Sequence, residues 1–410
     1  MNDVQTIRPG YLPYALTAAV ALTAGSTLLG NGLIWSSIIC WAMVPLVVLV
    51  ALFDRIEFDG NTITHKGALA WSLAVLFRIR RQLSVENIEA ITTETITFGF
   101  SDGDSRVTYH TRVSGAGFEV LLRSHRSTFI PFIKALFKAT GTQKLDPRSF
   151  ELFEYLETGA TIKNFPLLKQ EIESMPTSLL RRFGNALRLA GKLSQAASYF
   201  NLAYEKEPRN PALLYEMSRF LRSNAQRDQK MIQRSDACLR LASKLAQTEP
   251  DLLERIGEVF FERLDYKRAS ECFRRVLEFD PSRFRANVGL AEIALRDGKL
   301  AHVAHFYNAA SASHDTALSK VAQREARYYQ RLIGDDEFLE RELNRIRFLN
   351  HLRWARRLAA LTFLLVWMIA SVFGRWSFVI QYYGWSLMAM TALVWSACTL
   401  TLRFYAKHRG

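Results

Sequence analysis

LRRFGNALRLAGKLSQAASYFNLAYEKEP, residues 180–208, and LERIGEVFFERLDYKRASECFRRVLEFDP, residues 253–281, decide the architecture. Aligned on their closing prolines, Pro208 and Pro281, the two stretches place like side chains at like offsets. Leu180 answers Leu253, Phe183 answers Ile256, Gly184 answers Gly257, and Leu187 answers Phe260. Beyond a central break, Ala196 answers Ala269, Phe200 answers Phe273, and Ala203 answers Val276. Apolar residues spaced three and four apart on both sides of that break predict two antiparallel helices. Glycine at the contact lets the helices approach, large residues opposite fill the gap, and each proline stops one helix and sets the next.

A further copy carries Leu290, Ala291, Ala294, Tyr307 and Ala310, and AGKL at 190–193 matches DGKL at 297–300. Between them, residues 211–250 read as a degenerate copy through Leu214, Met217, Ala242 and Pro250, with a loop insert at Ser223–Lys230. A helix pair recurring about every 34 residues resembles the tetratricopeptide repeat. The resemblance covers residues 177–312, with Leu180 where the family usually has Trp, and 316–332 reads as a capping helix. The signature positions are Gly184, Ala196, Phe200, Pro208, Gly257, Ala269, Phe273 and Pro281.

That resemblance implies an all-α solenoid whose first helices line a concave, protein-binding groove. The groove positions are Arg181, Asn185 and Arg188 in the first copy, and Tyr215, Arg219 and Arg222 in the degenerate one. Glu254 and Glu258 follow in the third copy and Glu292 in the fourth, so the groove is basic in its first half and acidic further on. The carboxylate clamp of some family members is not supported, because Glu216 and Asp251 stand where it needs Asn and Lys.

Outside the repeats the composition changes. The chain of 410 residues has a formal net charge of +14, of which +7 lies in residues 351–410 and only +4 in residues 151–350. A basic excess beside apolar runs argues for a membrane rather than nucleic acid, which needs a basic face on one folded domain. Residues 11–30 and 33–53 carry no charge, and 358–373 and 378–402 repeat the arrangement at the other end. About 20 helical residues cover the roughly 30 Å hydrocarbon layer. The expectation is a multi-domain membrane protein with four transmembrane α-helices in two hairpins, a small β-rich domain and the helical solenoid. Arginines at 345, 347, 353, 356 and 357 set the two termini and the soluble parts in the cytoplasm by the positive-inside rule. Asp335–Phe373, free of Gly and Pro, predicts one continuous helix. Cys238 and Cys272 are then reduced thiols, with Cys40 and Cys398 inside spans.

Residues 55–140 alternate as strands. Arg55–Asp59 and Thr62–His65 flank a Gly60-Asn61 turn; Ile88–Ile96, Arg106–Val113 and Phe118–Leu122 follow, with turns at 101–105 and 114–117. Phe129, Ile133, Leu136 and Phe137 form one face of a closing helix that Ser127 or Thr128 caps and Gly141 ends. RIEFDGNTITHKG, RRQLSVENIEAITTE and that helix resemble the bacterial pleckstrin-homology-like domain, which implies a bent sheet plugged by a helix and a place beside membranes. The apolar stretch 67–77 followed by Arg78, Arg80 and Arg81 reads either as a lipid-touching tip or as core strands with a basic edge. Residues 143–176 read as a helical linker.

Chemistry is not written here. The phosphate-cradling, HExxH and GxSxG patterns are missing. His302 and His305 sit three apart without a third ligand, and Asp102 and Asp104 lack the rest of a calcium loop. The reading is a non-enzymatic scaffold in a bacterial inner membrane, needing no cofactor or metal, that recruits a cytoplasmic protein or peptide through the groove and touches lipid. The alternative is a structural homo-oligomer organising an envelope or secretion assembly. Transport is disfavoured by spans poor in polar residues.

Overall fold

The computed structural model describes the chain except residues 1–3, 9–11, 31–33, 68–70, 72–79, 100–104, 125–127, 163–168, 226–227, 374–376 and 408–410. It divides into two units, Met1–Asp297 with Phe306–Ala322, and Gly298–His305 with Gln323–Gly410.

The first unit opens with a short strand that the sequence reading missed, β1 (Gln5–Ile7). A helical hairpin follows, α1 (Leu12–Gly30) and α2 (Ile34–Phe53). Gly25 allows the close approach: a Cβ there would fall 2.4 Å from the Trp41 ring, and the buried Ser37 hydroxyl donates to Gly25 O at 2.7 Å. One residue later the chain enters β2 (Arg55–Phe58), which pairs with β1 on one side and β3 (Thr62–Lys66) on the other; β4 (Gln82–Ser84) completes an antiparallel sheet. Asp54, at the junction, is buried and accepts from the Tyr14 hydroxyl and from His65 Nε2, the latter at 2.7 Å.

A second antiparallel sheet contains β5 (Ala90–Gly99), β6 (Ser105–Gly115) and β7 (Phe118–Arg123). Alternation sets its inner face: Phe118, Val120 and Leu122 point inward while Glu119 and Leu121 point out. The β6–β7 turn places Ala116 and Gly117 at positive φ, 45° and 80°. Helix α3 (Phe129–Thr140) plugs the domain with Phe129, Phe132, Ile133, Leu136 and Phe137, all at most 1% exposed. Gly141 ends it at φ 78° as expected; Thr128 makes no side-chain capping bond, and Ser127 lies outside the described residues.

The segment read as a linker holds α4 (Pro147–Ile162) and α5 (Lys169–Ser174). The repeats follow as α6 (Thr177–Leu189), α7 (Leu193–Lys206), α8 (Pro211–Asn224), α9 (Gln229–Leu245), α10 (Pro250–Glu262), α11 (Tyr266–Phe279), α12 (Phe284–Arg296) and α13 (Leu300–Ala310). This is a helical-repeat array, and its small residues work as the pattern requires. A Cβ on Gly184 would lie 3.1 Å from the Phe200 ring, and one on Gly257 would lie 2.8 Å from Phe273. Ala196, Phe200, Ala269 and Phe273 are buried in the repeat cores, whereas Pro208 and Pro281 stand in the turns between helices. Helix α14 (Thr316–Gly334) comes next in the chain, and its range extends the expected capping helix by two residues.

The second unit contains α15 (Asp336–Phe373), one unbroken helix of 38 residues, and α16 (Phe378–Lys407), which packs on it as a hairpin. The hairpins are real, but the expectation of four membrane spans, and with it multi-pass inner-membrane placement, is overturned. Among the described residues one helical stretch, Tyr383–Leu402, is long and apolar enough to cross a membrane. In the first hairpin the apolar stretches are Thr17–Ser26 and Ser37–Phe53. Among the described residues both are shorter than the about 20 helical residues a span needs. The apolar end of α15, residues 358–373, reaches about 24 Å at 1.5 Å per residue, short of the roughly 30 Å hydrocarbon layer. Thr23 and Ser26 of α1 turn their hydroxyls back onto helix carbonyls, which satisfies them without making the surface apolar. Cys40 lies in the Ser37–Phe53 stretch of α2, and Cys398 in the Tyr383–Leu402 stretch.

Candidate functional site

The groove residues converge, and what they converge on is helix α4. Asp146 starts the arrangement. Its Oδ1 accepts from Ser149 N at 2.8 Å, capping α4, and from Thr93 N of β5 at 3.1 Å. Ser149 Oγ lies 2.7 Å from Thr93 Oγ1, which in turn lies 3.1 Å from Thr111 Oγ1, all buried. Leu152 and Leu156 continue from there into the β-domain core, 1% and 7% exposed. One face of α4 thus belongs to the β domain.

The other face enters the array. Glu151 is buried between two groove arginines, 3.0 Å from Arg188 and 2.5 Å from Arg219. Arg188 also donates to Asn185 Oδ1 from two nitrogens, at 3.0 and 2.7 Å, and Arg219 donates to the Tyr215 hydroxyl at 3.1 Å. Burial by itself would raise the Glu151 carboxyl, yet Arg188 and Arg219 hold it below its ordinary range. The Arg255 guanidinium stacks 3.7 Å over the Phe150 ring and reaches Glu154 at 3.4 Å. Further contacts hold the β domain to the repeats. The Tyr109 hydroxyl donates to Leu189 O at 2.5 Å, Arg285 Nε donates to Gln143 O at 3.2 Å, and buried Lys144 pairs with Asp315 at 3.2 Å.

The acidic half of the groove is less well served. Glu216 pairs through one oxygen with Arg181 at 3.1 Å, Glu258 with Arg285 at 3.1 Å, and Glu254 with Arg283 at 3.5 Å. The remaining oxygen of each, Glu216 Oε2, Glu258 Oε2 and Glu254 Oε1, is buried without a hydrogen-bond partner. Burial pushes the Glu216 carboxyl up to about 7, with Arg181 only partly offsetting it. Burial does the same to Glu258, up to about 7, against Arg285. Glu216 and Glu258 line one cavity of about 10 Å³ with Pro147, Phe150 and Glu151, close to the least room a water needs. A larger cleft of about 370 Å³ runs between β5 and the later repeats, lined by Phe261, Phe284, Val288 and Glu292.

The structure places Arg181 against Glu216, Arg188 and Arg219 against Glu151, and Asn185, Tyr215 and Glu258 along the cavity beside α4; Glu254 pairs with Arg283. Glu292 shares the larger cleft with Glu258, and Arg222 remains exposed. Arg78 and the apolar stretch before it lie outside the described residues except at Gly67 and Trp71; Arg80 and Arg81 are exposed. His302 and His305 are exposed, and among the described residues no cluster of three His, Cys, Asp or Glu is placed to hold a metal. Missed by sequence reasoning were Phe150, Glu151, Glu154, Arg255 and Arg285. The signal was present in SFELFEYLE, where an aromatic–acidic face follows Asp146-Pro147, an N-cap and first-turn pair. No protein-family model matches the chain, and no curated protein shows significant similarity to it.

Proposed function

We propose that this chain is a non-enzymatic, membrane-anchored adaptor, in which a tetratricopeptide-type array recruits a protein and a pleckstrin-homology-like β domain is held against that array. The anchor in this reading is the Tyr383–Leu402 stretch of α16. The observation that carries it is the pair Arg188 and Arg219, groove positions chosen by repeat register alone, closing on Glu151 of a helix that is not part of the repeats, with Arg255 stacked on the same helix. A surface that grips one amphipathic helix in this manner is a peptide-recognition surface. The β domain's two antiparallel sheets and closing helix support the second resemblance.

The test is purification of the full chain from its native host in mild detergent, with mass spectrometry and a parallel sizing run. A stoichiometric partner that disappears when Arg181, Asn185 and Arg188 are changed to Ala is the expected outcome. A large homo-oligomer without such a partner overturns the adaptor reading and favours a structural one.

A further inference from the structure

The groove arginines already have a ligand, and it comes from the same chain. Three features of that contact bear on what else the groove takes. First, α4 serves two neighbours: Leu152 and Leu156 are core of the β domain and Phe150 packs against that core, while Arg255 stacks on Phe150 and Glu151 and Glu154 pair with arginines of the array. Withdrawal from the groove therefore moves α4 together with the β domain. Second, the fit is incomplete. Glu216 and Glu258, each with one buried oxygen that has no hydrogen-bond partner among the described residues, line the cavity under α4, and the α4 side chains lining it carry no donor. A buried acceptor left without a donor weakens the docked state. Third, the two guanidinium groups that α4 satisfies, Arg188 and Arg219, are held by a single carboxylate, Glu151, so a carboxylate in the same position on another helix would meet the same pair.

We infer that α4 is a built-in stand-in for the adaptor's partner, and that the groove exchanges it for an amphipathic helix bearing the same Phe-Glu-x-x-Glu face plus a lysine or arginine directed at Glu216 and Glu258. The inference rests on the adaptor reading above and adds the partner's chemistry and the order of events. The partner competes with an intramolecular helix present at an effective concentration in the millimolar range, so it must complement the groove better than α4 does. The orphaned glutamates are where that advantage is available. Exchange frees the β domain from its contacts at Leu189 and Asp315.

The probe is a fluorescein-labelled peptide of residues 146–162, added to the full-length chain in mild detergent and read by fluorescence anisotropy. The wild-type chain is expected to bind it weakly. The Phe150→Ala chain, in which every buried charge keeps its partner, is expected to bind it about tenfold tighter, because loss of one stack weakens the internal competitor. Adding Arg219→Ala to that chain is expected to abolish binding. A peptide with Lys in place of Pro147, whose ring lines the cavity, is expected to bind the wild-type chain more tightly than the unmodified peptide. If Phe150→Ala and Glu154→Ala chains, each with unchanged circular dichroism, bind the peptide no better than wild type, α4 is a fixed structural helix and the inference is overturned. If the lysine peptide gains nothing, the cation half of it falls. If exchange occurs as described but the Phe150→Ala chain retains no stoichiometric protein from its host, exchange stands and the adaptor reading fails.

Discussion

Glu151 carries the largest single expectation at the residue scale. Its carboxylate is the anion for two buried guanidinium groups, so removing it leaves two charges enclosed without compensation. Breaking a buried pair from one side costs about 3–5 kcal/mol. Glu151→Ala should lower unfolding stability by that order in urea titration, whereas replacing Glu151, Arg188 and Arg219 together by apolar residues should cost far less. A residue of the opposite kind is Gly257. It has nothing to contribute except absence, since a Cβ would stand 2.8 Å from Phe273 and 3.2 Å from the Cys272 side chain. Gly257→Ala should cost about 1–3 kcal/mol through overpacking, seen as a lower melting temperature, despite alanine's better helix propensity.

Helices α4, α8 and α10 together make a pH-sensitive seam at the element scale. Glu216 and Glu258 have folded-state pKa values raised from 4.5 to about 7, so the folded state holds their protons more tightly than the unfolded chain does. Such groups add stability that is full below the unfolded pKa and is lost as pH rises through 7. Glu151 has the opposite sign, with its pKa lowered, and loses its contribution only in acid. Between pH 5 and 8 Glu216 and Glu258, with Glu254 and Glu292 raised by burial in the same direction, should therefore dominate, and stability should fall by roughly 2–5 kcal/mol as pH rises. Denaturation curves at pH 5, 6.5 and 8 check this. The double variant Glu216→Gln, Glu258→Gln should flatten the dependence, and a wild-type profile that rises with pH would show that these carboxylates are ionised in the fold.

For the molecule as a whole, the membrane attachment proposed above rests on one segment. Among the described residues Tyr383–Leu402 is the helical stretch with the length and apolar character to cross a bilayer. Deleting residues 378–410 should move the chain from the membrane fraction to the soluble fraction after ultracentrifugation. A chain that stays membrane-bound after that deletion would place the anchor in the first hairpin, where Val20, Trp35, Ile39 and Phe53 are largely exposed.

Local pattern was enough for the repeats, because each helix pair buries its own contact: Gly184 meets Phe200 and Gly257 meets Phe273 within the same repeat, at offsets visible in the chain. The strands β2, β3 and β5 to β7 were legible through alternation and turn residues for the same reason. Two things were not. Gln5–Ile7 is too short to carry a pattern, and it is a strand because Ile7 pairs with Ile56 across an inserted helical hairpin. The occupied groove was illegible because a register predicts which side chains line a surface, not what lies against it. Arg188, Arg219 and Glu151 are far apart in the chain, and no spacing rule joins them. By itself the sequence determined the helix pairs and their contact residues, since both rest on short-range periodicity. Only the tertiary structure decided that Glu151 lies between Arg188 and Arg219 and that the buried glutamates are left short of donors. Those outcomes depend on long-range docking, which is not a property of any one window of residues.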